Sequence, residues 1–233
     1  MDRFKRYSTF FLITFCLLIS QSIRAEIKLP GYFTDNMMLQ RDAPVKIWGW
    51  GSKNETVTVS IHNQKVKTKC KKNGTWEIIL SSLPHGGPYS LTVQGKENCI
   101  KIENILIGDI WLCSGQSNME WTVEQSANSK QEIQNANYPE IRSLRVPKDI
   151  KNNPQDNFSA KWEICLPSTV GAFSGVAYYY ARALYKEMQI PIGIINASWG
   201  GTDIETWISN EAFRTLPADV QKQYNMEVAN NLE

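Results

Sequence analysis

From Glu26 to about Asn104 the chain alternates. In ETVTVSI, Val57, Val59 and Ile61 fall on one face and Thr56, Thr58 and Ser60 on the other, the period of two expected of a strand covered on one side. Asn73-Gly74 in KKNGTWEIIL is a hairpin signal ahead of a further strand. VKIWGWG and YSLTV read as additional strands between Gly, Pro and Asn punctuation. Short strands at this density predict a small antiparallel β-sandwich over 26–104.

After Ile105 the pattern changes. NILIGDIWLCSG and IPIGIINAS are continuous apolar runs, as expected of parallel strands covered on both faces. PEIRSLRV reads as a strand whose charges predict an edge or a strand end. GVAYYYARALYKEM has a helical repeat, with Val176, Tyr180, Ala183 and Leu184 at i, i+4, i+7 and i+8. Strand, helix, strand predicts a parallel α/β unit over 105–233. Residues 128–160 form a polar insertion with little pattern, and GGTDIETWIS leads into further helix. So few buried parallel strands predict a truncated sheet, with an unpaired apolar edge and marginal stability.

The N-terminus belongs to neither part. Arg3, Lys5 and Arg6 precede the apolar run STFFLITFCLLIS, and Ala25 closes QSIRA. A run this short with basic residues before it predicts a signal peptide over 1–25, hence a secreted or periplasmic protein with no membrane segment after cleavage. Without the leader, the net charge of +2 becomes about −1, so no electrostatic case for nucleic acid remains. Cys70, Cys99, Cys113 and Cys165 fit no zinc spacing. They are candidates either for disulfides or for small buried hydrophobes.

Candidate chemistry concentrates at two strand ends. In GDIWLCSGQSNMEW, Ser117 sits just past a buried strand, at the sheet edge where open α/β folds place ligands. It is either a helix N-cap or a nucleophile whose neighbouring N–H groups face a carbonyl oxygen. Ser114 reads as a turn or cap residue. In NASWGGTDIETW, Gly200-Gly201 is either a plain turn or a close approach of backbone to ligand. Facing one another, the two corners would supply a nucleophile and an oxyanion hole.

The blocks GDIWLCSGQSNMEW, FSGVAYYYARAL and PIGIINASWGGTDIETW resemble those of the sialate O-acetylesterase family of SGNH/GDSL-type serine hydrolases. FTDNMMLQRDAPVKIWGW and NGTWEIIL…GGPYSLTV resemble that family's N-terminal β-domain. The resemblance implies an α/β SGNH-hydrolase-like parallel sheet preceded by the β-sandwich. It also implies an O-acetylated sugar substrate, whether sialic acid or a polysaccharide, and no cofactor or metal. Ser117 becomes the nucleophile, with its own N–H and that of Gly200 or Gly201 as oxyanion donors. Gln116, Asn118, Glu205 and Trp207 become pocket residues.

The family also carries a Gln-Gly-Glu block and a late Asp-x-x-His block supplying the base. Neither occurs here, and the two histidines, His62 and His85, read as surface residues. A serine without a base is a poor nucleophile, so these residues alone are expected to show little or no esterase activity. Two readings follow: part of a carbohydrate O-acetylesterase, or a non-catalytic secreted carbohydrate-binding or interaction protein with a decayed esterase domain. Trp48, Trp50 and Trp76 are expected in the β-domain core rather than on a sugar platform. Asn54, Asn73, Asn157 and Asn196 lie in glycosylation triplets.

Overall fold

The computed structural model describes residues 26–151 and 153–223. The expected signal peptide and the last residues of the polar tail lie outside them. Two compact units are present, one built from the segment up to Pro30, Ala43–Ser82 and Tyr89–Glu103. The other comprises Gly31–Asp42, Leu83–Pro88 and the chain from Asn104 on.

In the first unit, β2 (Val45–Trp50) pairs antiparallel with β5 (Thr75–Leu80). A second antiparallel set runs from β4 (Gln64–Lys69) through β3 (Thr56–Ile61) to the later residues of β6 (Gly86–Gln94), paired over Leu91–Gln94. The alternation read in β3 holds: Val57, Val59 and Ile61 are buried. Asn73-Gly74 does form a turn, with Gly74 at φ +79°. The strand after it, however, pairs with β2 rather than with the strand before it. The tight hairpin lies instead at His62-Asn63 between β3 and β4, where His62 adopts φ +50°. Trp76 is fully buried and donates through Nε1 to the Trp50 carbonyl at 3.1 Å. Trp48 and Trp50 are half-buried and meet edge to face.

In the second unit the strands form a mixed sheet. β7 (Cys99–Gly115) begins in the first unit and ends here. β1 (Met38–Gln40) and β10 (Ile192–Ser198) both run parallel to it. β8 (Tyr138–Arg145) runs parallel to β10, and β9 (Trp162–Cys165) runs antiparallel to β8. Far from being an edge, β8 is therefore flanked on both sides. Its charges are accommodated differently: Arg142 is buried and donates to Asn104, whereas Arg145 stands at the strand's end. Coverage of both faces of β7 holds only in part. Ile105 and Ile107 are buried, but Leu112 is 70 % exposed.

Helices α1 (Ser117–Glu120), α2 (Ser129–Asn135) and α3 (Gly175–Met188) lie between strands, and α4 (Asn210–Phe213) follows β10. α2 lies in the insertion expected to have little structure. Only Ile133 of its side chains packs on the core, so it left almost no periodic signal. α3 has the expected bounds and an Ser174 cap that accepts from the Ala177 N–H. Its buried face is different from the one expected. Gly175, Ala177, Tyr178 and Ala181 point inward, while Val176 and Tyr180 are exposed. Small residues let the helix lie close to the sheet, where Ile141, Ile192 and Ile194 complete the core.

Candidate active site

β7 and β10 are in register to their last residues, with Ser198 opposite Gly115. Parallel pairing therefore delivers both chain reversals to the same sheet edge. At the first reversal Gly115 takes φ +144°, a conformation that favours glycine. Gln116 follows as the N-cap, and Ser117 is the first residue of α1. Ser117 is thus not the helix cap, and Ser114 is the penultimate residue of β7 rather than a turn residue. With four residues, α1 is too short for its dipole to matter; individual N–H groups count instead. Ser117 is exposed, and among the described residues its hydroxyl has no hydrogen-bond partner.

The second reversal is held against the first. The Trp199 N–H donates to the Gly115 carbonyl at 3.0 Å, and Gln116 Nε2 donates to the Thr202 carbonyl at 3.1 Å. The Gly200 N–H donates to Glu120 Oε2 at 2.6 Å. A methyl group placed on Gly200 would lie 3.4 Å from Ser117 Cα and 3.5 Å from Ser117 Cβ. Gly201, at φ +79°, would meet no atom within 4 Å with the same addition. The two glycines are therefore not equivalent: one backs onto Ser117, the other faces open space.

Glu120 is the electrostatic centre of this corner. Its Oε1 receives Arg145 Nη2 at 3.1 Å and also Lys148 Nζ. The Lys148 ammonium lies 5.6 Å above the Trp199 ring centroid. The hydrogen bond from Lys148, and next that from the Gly200 N–H, hold the Glu120 carboxyl below the usual carboxylate range. A deeper polar layer lies beneath. Buried Ser198 donates to Asn196 Oδ1 at 2.7 Å, and the Asn196 carbonyl accepts from the Val146 N–H.

Sequence reading brought Ser117, Gln116, Gly200, Gly201 and Trp207 to this edge. The structure ties them through residues that reading did not single out: Glu120, Lys148, Trp199 and Thr202. Trp207 Nε1 donates to Thr202 Oγ1 at 2.9 Å. Asn118 lines a neighbouring hollow of about 550 Å³ with Trp121, Ser126, Gly175, Val176 and Tyr179. The side chain of Glu205 lies outside the described residues. Glu120 had one available signal, its position three residues after Ser117, which on a helix places it on the same side. Lys148 and Thr202 carried none. His62 is exposed against the Tyr89 ring, and His85 is exposed in a loop. The four cysteines are unbonded, with Cys70, Cys113 and Cys165 buried and Cys99 exposed. Burial pushes the Cys165 thiol up to about 12.

The mixed sheet matches the fold of a carbohydrate acetylesterase. A carbohydrate acetylesterase from Xanthomonas citri superposes with a TM-score of 0.77 at 36 % identity, covering 78 % of this chain and 43 % of that one. The family described as carbohydrate esterase, sialic acid-specific acetylesterase, matches residues 107–231. The chain belongs to that family. It is 33 % identical over 207 residues to sialate O-acetylesterase of Homo sapiens, covering 80 % of this chain and 40 % of that protein. It is 32 % identical over 220 residues to the Mus musculus protein, covering 86 % and 40 %. The chain thus spans about 40 % of the length of these curated relatives.

Proposed function

We propose that this chain carries the nucleophile-bearing part of an exported carbohydrate O-acetylesterase, built as an SGNH-type α/β sheet (105–233) preceded in sequence by a small β-sandwich (26–104). The observation that carries the reading is the exposed Ser117 hydroxyl beside the Gly200 backbone. Ser117 Oγ attacks the acetyl carbonyl carbon and gives its proton to a base. Negative charge gathers on the carbonyl oxygen, facing the N–H of Ser117 and that of Gly200 or Gly201. The bond to the sugar oxygen breaks, the sugar departs as its alcohol, and water releases acetate from the serine. Gln116 and Trp207 shape the corner through Thr202. Asn118 and the adjoining hollow are offered as room for the sugar ring. The basic leader and its apolar run support export.

His62 and His85, the chain's two histidines, make no contact with Ser117 among the described residues, so neither acts as its base. That observation favours one second reading: a non-catalytic secreted carbohydrate-binding or interaction protein with a decayed esterase domain. The coding DNA past codon 233 separates them, because an open frame with Gln-Gly-Glu and Asp-x-x-His blocks supports the enzyme and a stop supports the binder. In the complete gene product, Ser117→Ala is expected to lower kcat on an O-acetylated sugar by at least about 10³-fold. Turnover that survives Ser117→Ala contradicts the serine mechanism.

A further inference from the structure

We propose that Glu120 is a positioning residue: its carboxylate clamps the Gly200 N–H and leaves the oxyanion to the next amide, that of Gly201. This rests on the esterase reading above and decides between the two glycines it left open.

Both oxygens of the Glu120 carboxylate are engaged. Glu120 Oε2 holds the Gly200 N–H at 2.6 Å, while Oε1 is taken by Arg145 and Lys148. A hydrogen bond this short to a carboxylate is of the strong, charge-assisted kind. An oxyanion cannot share that donor, because it would have to approach a fixed negative charge. Gly201 is placed otherwise. Its Cα faces open space, and among the described residues its N–H has no hydrogen-bond partner.

The clamp is rigid at both ends. Glu120 and Ser117 share the single turn of α1, closed by Glu120 N–H to Gln116 O and Trp121 N–H to Ser117 O, each 2.9 Å. The glycine corner is gripped next door as well, where Lys148 lies over the Trp199 ring. A Cβ at 200 would stand 3.0 Å from Glu120 Oε2, so the clamped carboxylate would have to give by a few tenths of an ångström to admit one. Glu120 therefore adds a charged tie between the serine and glycine corners to those made by the Trp199 N–H and by Gln116. The opposite role, a lock that blocks the oxyanion site until withdrawn, would require the carboxylate to leave two cations, Arg145 and Lys148, at once.

Two measurements test this. In ¹⁵N-labelled chain, the Gly200 amide resonance is expected to titrate below the ordinary glutamate range. It is expected to stay fixed in the isosteric Glu120→Gln variant. In Glu120→Ala its hydrogen exchange is expected to rise by roughly tenfold or more. A wild-type amide that does not respond to pH, or exchange unchanged in Glu120→Ala, overturns the clamp. In the complete gene product, Glu120→Ala is expected to lower kcat about 10²-fold with KM within about twofold, Glu120→Gln restoring part of the loss. Unchanged kcat overturns the positioning role, and a raised kcat identifies a lock. Should Ser117→Ala retain full turnover, the esterase reading fails while the amide response still stands or falls by itself.

Discussion

At the scale of single residues, the corner around Ser117 runs on ionisation. The Glu120 carboxyl is lowered by Lys148 and then by the Gly200 N–H, so folding favours its charged form. Its contribution to stability is present above the unfolded glutamate value and is lost as pH falls through the lowered folded value. Acid unfolding of the wild-type chain is therefore expected to steepen from about pH 4.3 downward, and Glu120→Gln to flatten that limb. Equal slopes in chemical denaturation at stepped pH would contradict the assignment. These roles were only half legible. Ser117 and the paired glycines stand out because small residues after apolar strands are a local pattern. Lys148 reaches the site from a loop in which nothing local distinguishes one lysine from the next.

At the scale of elements, α3 shows what periodicity can miss. Its bounds were readable, because Ser174 caps one end and Gln189 adopts φ +53° at the other. Its inward face was not, because hydrophobic pattern gives weight to Val176 and Tyr180, whereas close packing on the sheet selects Gly175, Ala177 and Ala181. Tyr178 is the large residue on that face. It is fully buried and donates to Glu132 Oε1 at 2.5 Å, beside an Arg182 ion pair to the same oxygen. Burial pushes the Tyr178 phenol upward, and the Glu132 hydrogen bond adds to the effect. Tyr178→Phe removes that bond but keeps the ring, and is expected to cost about 1–2 kcal/mol in urea denaturation. A loss below a few tenths would show that Arg182 alone satisfies Glu132. β8 teaches the same lesson from the other side. The charges in PEIRSLRV suggest an edge or a strand end; the strand lies between β10 and β9, with Arg142 buried and bonded to Asn104 and Arg145 at its end paired with Glu120.

At the scale of the molecule, parallel pairing of β7 with β10 makes two distant segments into one site. Their last residues, Gly115 and Ser198, are more than eighty positions apart in sequence and adjacent in the sheet. That juxtaposition was foreseeable from two apolar runs ending in small residues, since parallel neighbours must finish at a common edge. The register that sets Gly200 against Ser117 was not, because it depends on pairing along the full strand. The same scale sets the frame for chemistry. The chain spans about 40 % of its curated relatives, so turnover is a property to measure on the complete gene product. The most direct measurement is to react that protein with a fluorophosphonate and locate the adduct by peptide mass spectrometry. The account predicts one adduct per molecule, on the peptide containing Ser117, and none in Ser117→Ala. An adduct on another serine, or labelling undiminished by the substitution, would contradict it.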